Sequence, residues 1–567
     1  MPPAAASNPV PPDSSVDQST SILLQWASAD QGGDVRYDLF FGTEATPPLY
    51  KHALKTTHHQ LSDLSRSTTY HWRVVSVDPE GGDTPGPLWT FSTGIGHAPD
   101  APSNPSPPDR TTAMVTDHIT LTWNGNDADQ DTLSYDVYAG DSNPPPLLAE
   151  SIHTNAINME VSVFGQYAWR VVAHDAYGFS ASSPVWYFNT SPVSGRIYHV
   201  AGTGTAGFGP VGMKPLETNL YWPMDVIASS RETVTIADWN NHRIIRADLF
   251  GSGLMQLVAG DDGDPGDPCP MAPAPCTDIT AAGAPLNMPT QVVTDNRGNF
   301  VICAWRNDAI FQVGALTGKM DRICGTGAPP AYNGDEQLAV NASVGRPVGA
   351  AFDSQNRLCF TDQWNQIVRM IDGSGVIHTI AGTAPTWNGV GYDRHQGFSG
   401  DDGPAISATL NLGGGQVDDP AGKICFDPTG NMYIADTLNH AIRVVDTSGM
   451  IHRFAGVYPA SAGFGGEGGL ATAAHLSSPS DVASDHEGNI YIADTGNHCV
   501  RVVSLIGVIT TVAGIPTMSG DGGNGGVATA TMLNSPFGIS IDEPGFLWIA
   551  DTRNNRIRVM RGAAMSH

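Results

Sequence analysis

Three sets of side chains have types and spacings from which a site can be built. The first is Asp127-Ala-Asp129-Gln-Asp131, three carboxylates at alternating positions of one loop. Turned inward, such a set meets a hard cation such as Ca²⁺ through oxygen alone; turned outward, it is a solvated Asp-rich turn. It is not an EF-hand loop, because Thr132 stands where glycine is needed and no glutamate closes the loop. The second set is Asp225, Gln291 and Asp481, two residues after prolines that lead apolar strands, where sibling segments carry Gly349, Gly422 and Gly538. Carboxylates there suit a cation, a polar ligand group or acid–base work. The third set is aromatic. Trp239, Trp305 and Trp364 occupy turns where later copies of the same segment have Thr437, Thr495 and Thr552, and Trp387, Tyr392, His395 and Phe398 lie in the connector 383–404. Such rings stack on a sugar chain, hold an extended peptide, or pack beneath their own loops.

Cysteine and charge narrow the choices. Cys269 and Cys276 bracket a Pro-rich loop and are a candidate disulfide, which favours an oxidising compartment. Cys303, Cys324, Cys359, Cys425 and Cys499 sit in apolar strand patterns and read as small buried hydrophobes. No histidine accompanies Asp225 and Asp481, so a zinc-type centre lacks ligands. The chain has no nucleophile-elbow serine, phosphate loop or His-x-x-x-His pair. Acidic residues outnumber basic ones 56 to 28, with five lysines and a net charge of −28. That charge repels phosphate backbones and anionic bilayers, so nucleic acid is not an expected partner. No stretch approaches the roughly 20 apolar residues of a membrane span. The opening Met1-Pro2-Pro3-Ala4-Ala5-Ala6 is not a leader. A secreted or cell-surface protein would have lost its leader ahead of Met1; the alternative is a cytosolic chain with an unstructured start.

The elements that hold these residues are strands. A chain of 567 residues with 64 Gly and 42 Pro, regularly spaced apolar runs and few helix starts predicts several all-β domains. Residues 20–93 and 117–190 repeat one another: Trp26, Tyr70, Trp72 and Trp89 recur 97 residues later as Trp123, Tyr167, Trp169 and Trp186. Short strands at this spacing describe two β-sandwiches with the tryptophans as core anchors. The run Leu64-x-x-x-Thr68-x-Tyr70-x-Trp72-Arg73-Val74 resembles the tyrosine-corner strand of fibronectin type III domains, which implies spacer or attachment modules. The expected boundaries are a linker at 1–18, modules at 19–95 and 117–192, and a stiff Pro-rich linker at 96–116.

From residue 195 a second pattern recurs six times, centred on Asp238-Trp-Asn-Asn241, Ala304-Trp-Arg-Asn307, Asp362-Gln-Trp-Asn365, Asp436-Thr-Leu-Asn439, Asp494-Thr-Gly-Asn497 and Asp551-Thr-Arg-Asn554. Four strands per unit is the signature of propeller blades. The units resemble NHL repeats, with Asn241-His242, Asn439-His440 and Asn497-His498 the clearest copies. Arg369, Arg443, Arg501 and Arg558 recur after the turns, whereas the first two units have Ile245 and Phe311 there. The recurring Asp and Asn read as turn-capping groups. The last unit stops after three strands, and residues 195–202 resemble its missing fourth, so this segment closes a six-bladed ring over 193–562, leaving 563–567 as a tail. The expected fold is therefore all-β: two sandwiches, then a six-bladed propeller closed by an N-terminal strand. The expected function is a non-catalytic extracellular scaffold that binds a glycan or protein through one propeller face, with Ca²⁺ the one cofactor implied. The alternative is a secreted lyase- or hydrolase-type enzyme using Asp225 and Asp481 at the channel mouth.

Overall fold

A computed structural model of the chain describes residues 2–28, 34–94, 96–115, 117–230, 233–249, 253–261, 263, 265–269, 276–327, 329–388, 391–413, 419–457 and 461–562. The tail 563–567 and the module boundaries placed at 95 and 116 lie outside the described residues. Among the described residues the structure is all-β, and its helical segments are three-residue 3-10 turns. The chain divides into two compact units, which are described separately.

In the first unit, strands Ile22–Ala27, Arg36–Gly42, Leu49–Leu54, His58–Leu61, Thr69–Val77 and Trp89–Thr93 form two facing sheets. Their alternating side chains bury Trp26, Tyr37, Trp72, Trp89 and Phe91. The second copy reproduces this core closely. Ring centroids of Trp26 and Trp72 are 6.4 Å apart, as are those of Trp123 and Trp169. Trp72 to Trp89 and Trp169 to Trp186 are both 4.7 Å. The Tyr70 hydroxyl accepts a bond from the Ser65 amide at 2.8 Å, the contact that defines a tyrosine corner.

The supposed linkers are corrected. Ser7–Val10 pairs antiparallel with Ile22–Ala27, and Ser15–Gln18 pairs in parallel with Trp89–Thr93, so residues 1–18 contribute two strands. Within 96–116, Ser103–Ser106 pairs with His118–Asn124, and Thr111–Val115 pairs in parallel with Trp186–Pro192. Proline at an edge strand costs no ladder bond when its nitrogen faces outward, so Pro-rich sequence concealed these strands.

In the second unit, six antiparallel sheets form a ring. Their inner strands are Pro223–Ser230, Pro289–Thr294, Pro347–Phe352, Ile424–Phe426, Asp481–Ser484 and Pro536–Ile541. Each touches the next, and the sixth touches the first. Arg196–Ala201 supplies the outer strand of the sixth blade, pairing Ile197 with Met560 and His199 with Arg558 as the repeat pattern required. Closure removes a free blade edge.

The repeated turn is a hydrogen-bonded knot. In blades one, three, four, five and six, the Asn amide donates to the Asp at 2.8–2.9 Å: Asn241 to Asp238, Asn365 to Asp362, Asn439 to Asp436, Asn497 to Asp494 and Asn554 to Asp551. The same amide reaches a carbonyl of the incoming connector, such as Gly397 or Gly463 at 2.7 Å. The buried arginines complete the knot, as with Arg558 Nε to Asp551 at 2.6 Å. In blade one Arg243 replaces the missing repeat arginine, at 2.9 Å from Asp238, from a position two residues earlier than Ile245. Blade two has Ala304 for the aspartate and Phe311 for the arginine, so both charges of the pair vanish together.

The residue after each Asn adopts a left-handed conformation: His242, Asp308, Gln366, His440, His498 and Asn555 have φ between 47° and 60°. Each accepts the backbone N–H that leads into the next blade's inner strand. The bonds run from Met288 to His242 Nδ1 (3.2 Å), Arg346 to Asp308 (2.8 Å), Leu412 to Gln366 (2.7 Å), Ser478 to His440 Nδ1 (3.0 Å), Ser535 to His498 Nδ1 (3.0 Å) and Trp222 to Asn555 (3.1 Å). An imidazole accepts at Nδ1 only when neutral, and burial lowers the pKa of His440 and His498 below the ordinary value. A histidine lowered in this way stabilises the fold fully above about pH 6.5, its unfolded value, and less as pH falls through the lower folded value. The double variant His440→Gln/His498→Asn, which installs the acceptors of blades three and six, is expected to lose less melting temperature than the parent between pH 6.5 and 5. An identical pH profile for the two proteins would show that the latches do not titrate.

Candidate functional site

The residue that follows each repeat aspartate points to the mouth of the central channel. Going round the ring these are Trp239, Trp305, Gln363, Thr437, Thr495 and Thr552. Trp364 is therefore not the third member of the set; it lies one residue further on, and Gln363 holds the equivalent place. Large side chains fill one half of the mouth. Trp305 is fully buried and donates from Nε1 to Gln363 Oε1 at 2.7 Å. Trp239 is 5% exposed, and it stacks on Trp222 with centroids 5.9 Å apart and planes 11° apart. Met224, Val348 and Phe537 pack with these rings. The expected ligand-stacking role of Trp239 and Trp305 is corrected: their faces are spent on each other and on the core. Trp364 is half-buried between the guanidinium groups of Arg346 and Arg394, at 4.9 and 4.3 Å from its ring.

The threonines leave the other half of the mouth open. A cavity of about 300 Å³ lies there, lined by Trp222, Met224, Pro420, Ala421, Leu438 and Phe537, with Thr437, Thr495, Thr552 and Ser480 among them. Asp419 and Arg553 bring the charges that border it. The hydroxyl groups donate inward to the backbone: Thr495 to Pro536 O at 2.8 Å, Thr552 to Pro223 O at 2.7 Å and Ser480 to Phe537 O at 2.7 Å. Their protons are used within the protein, and the cavity wall is chiefly apolar. Trp222 was missed from sequence. Its only signal is an aromatic residue directly before a strand-leading proline, held at φ 52°.

Below this mouth lies the channel ring, Asp225, Gln291, Gly349, Lys423, Asp481 and Gly538. The strand registers fix it, since Asp225 pairs with Ala237, Gln291 with Cys303 and Asp481 with Ala493, while the Ala435 amide donates to Lys423 O. The reading that placed Gly422 in the ring is one residue short, because blade four carries extra residues before its inner strand. The correction changes the chemistry. Lys423 Nζ lies 2.6 Å from Asp225 and 3.3 Å from Asp481, and it donates to Met224 O at 3.0 Å, with all three ionic side chains buried. The cation expected between the two carboxylates is thus the protein's own ammonium. The Val292 amide donates to the other oxygen of Asp225 at 3.1 Å, the Ile539 amide shares Asp481 Oδ2 with the lysine at 2.9 Å, and the Val482 amide takes Asp481 Oδ1 at 2.8 Å. Burial is the main force raising both aspartates above their usual range, while the lysine opposes it. Gln291 accepts the Ala350 amide within the same layer. Gly349 makes room for the lysine: a Cβ there would meet Lys423 Cα at 2.5 Å.

The other predicted residues are not among those lining the cavity. Trp387 and Tyr392 pair through their backbones in a small hairpin, with Tyr392 exposed; the side chain of Trp387 lies outside the described residues. Asp127, Asp129 and Asp131 belong to the first unit and do converge, with one carboxylate oxygen from each within 4.8 Å of the others. Cys269 and Cys276 have Cα atoms 5.3 Å apart, a separation that a disulfide spans.

Comparison with known proteins locates the repeat. Residues 476–503 match the NHL repeat family. Teneurin-3 of Mus musculus is 26% identical over 299 residues, which is 46% of this chain and 10% of that protein. NHL repeat-containing protein 2 of Gallus gallus is 37% identical over 139 residues, 23% of this chain and 18% of that protein. The chain thus spans less than a fifth of these relatives. Among solved structures, a protein of unknown function from Bacteroides thetaiotaomicron aligns over 79% of this chain and 95% of its own, with 16% identity and a TM-score of 0.47. An auxiliary nutrient binding protein from Bacteroides ovatus aligns over the same shares at 13% identity and a TM-score of 0.46.

Two variants test the assignment of these residues to packing. Trp305→Thr, which copies the residue of blades four to six, should cost about 3–5 kcal/mol in denaturant unfolding, as for a large buried ring removed. Lys423→Met should cost a comparable ~3–5 kcal/mol by stranding two buried carboxylates, and adding Asp225→Asn and Asp481→Asn should recover much of the loss. Near-neutral single variants would place Trp305 and Lys423 in a site open to ligand instead.

Proposed function

We propose that this chain is a non-catalytic binding protein of the extracellular space, in which two fibronectin type III-like modules carry a six-bladed NHL-repeat propeller that takes its ligand at the channel mouth. The observation that carries this reading is the asymmetry of the mouth. One turn position bears Trp, Trp and Gln in three blades and Thr in the other three, leaving a one-sided cavity of about 300 Å³. Concave, largely apolar sites with a few polar groups are the usual form of a ligand pocket. The Cys269–Cys276 pair supports an oxidising compartment.

The cavity wall favours a protein ligand that inserts an aliphatic or aromatic side chain. A sugar ring needs partners for its hydroxyl groups, and the hydroxyl protons of Ser480, Thr495 and Thr552 at this wall already serve backbone carbonyls. The enzyme alternative draws no support from Asp225 and Asp481, whose charge is engaged by Lys423 beneath the mouth.

Peptide and glycan arrays probed with the full chain would identify the ligand, and Thr495→Trp would locate it. Blades one and two already accept tryptophan at this position, so the variant should fold, with a melting temperature within a few degrees of the parent. It should fill the cavity and weaken binding of an array-selected peptide by more than tenfold. A folded Thr495→Trp protein with unchanged affinity would remove the channel mouth as the site, and selection of glycans alone would remove the protein ligand.

A further inference from the structure

The Asp-rich turn of the first compact unit has more negative charge than its partners neutralise. Asp127 Oδ1 accepts the amides of Asp129 and Asp131 at 2.7 and 3.3 Å, which folds the loop so that the three carboxylates converge. Asp127 is only 6% exposed, yet its Oδ2 is buried and accepts no hydrogen bond. A fourth carboxylate comes from a different turn. Asp175 binds the Tyr177 and Phe179 amides through Oδ1 at 2.8 and 2.9 Å. It is 8% exposed, and its Oδ2 is likewise buried without a donor. The charge of Asp175 reaches Asp131, whose pKa is raised by burial foremost and then by Asp127, Asp129 and Asp175 against the pull of Arg66.

One guanidinium pairs with two of these carboxylates. Arg66 binds Asp129 at 2.8 Å and Asp131 through its other nitrogen, and it packs 4.3 Å from the Tyr177 ring. Its Nε is buried without an acceptor. His97, which meets Asp129 at 3.2 Å, is largely exposed and adds a full charge only when protonated. Two buried carboxylate oxygens, Asp127 Oδ2 and Asp175 Oδ2, therefore remain without hydrogen-bond donors on two turns. Leaving such oxygens unpaired is costly. The donor set is oxygen throughout, with no thiolate, and an all-carboxylate set suits Ca²⁺ better than the smaller, strictly octahedral Mg²⁺.

We propose that Asp127, Asp129 and Asp131 form a Ca²⁺ site, in which the metal competes with the Arg66 guanidinium for Asp129 and Asp131 and gives the orphaned oxygen of Asp127 a partner, while Asp175 adds negative charge from a second turn. All four carboxylates belong to the first compact unit.

The test uses the full chain after exhaustive chelation, with calorimetric Ca²⁺ titration and Tb³⁺ luminescence excited through tyrosine. One high-affinity Ca²⁺ equivalent is expected, together with Tb³⁺ emission that Ca²⁺ quenches by displacement. Asp127→Asn and Asp175→Asn should each weaken Ca²⁺ at least tenfold. Arg66→Gln should tighten it, a gain that misfolding cannot produce. Tyr177→Leu should dim the Tb³⁺ signal while calorimetric Ca²⁺ binding persists. Absence of Ca²⁺ heat in the folded parent and in Arg66→Gln would overturn the proposal, as would Ca²⁺ binding indifferent to both asparagine variants.

Discussion

The ring depends on one short-range bond made six times, from the amide that leads into each inner strand to the left-handed residue closing the previous blade's turn. It joins consecutive blades where the turn of one blade meets the segment that leads into the inner strand of the next. Such a contact needs an acceptor of fixed reach at a strained backbone position. Histidine Nδ1, the carboxylate of Asp308, the amide oxygen of Gln366 and that of Asn555 all satisfy it. The repeat is therefore conserved within this chain as a geometry, not as a residue type. The Asp–Asn–Arg knot beside it has the same character. Its charges are kept together in five blades and lost together in blade two, as expected where an unpaired buried ion costs several kcal/mol.

A ring held this way tolerates variation at the position next to the latch, and the candidate site lies in that variation. Tryptophans in blades one and two stack toward Trp222, while Gln363 ties Trp305 to the carbonyls of Leu412 and Asp419. The threonines opposite cannot reach across. Their hydroxyls turn back to the strands, and apolar surface is left facing the cavity. The extra residues before blade four contribute Pro420 and Ala421 to that wall and also shift Lys423 into the channel ring. One local insertion thus shapes the mouth and brings in the ammonium that pairs with both carboxylates of the layer below.

The sequence by itself determined the architecture. Period-two alternation, the 97-residue repeat of tryptophans and the six repeat turns, five of them Asp-x-x-Asn, each reflect local constraints on strands and tight turns, and the strand at Arg196–Ala201 fell where the incomplete last repeat required it. Local patterns also marked Cys269 with Cys276, and the convergence of Asp127, Asp129 and Asp131, because the partners lie within one loop. What only the tertiary structure decided were the partners far apart in the chain. Lys423 meets Asp225 across 198 residues, and its place in the ring depends on a strand register that a run of glycines and prolines does not reveal. Arg66 meets Asp129 from 63 residues away. Trp239 and Trp305 differ from the threonines of their sibling turns, and composition cannot say whether a ring that departs from a repeat faces solvent or its neighbour. That is settled by packing, since a large apolar face next to another lowers its free energy by leaving water.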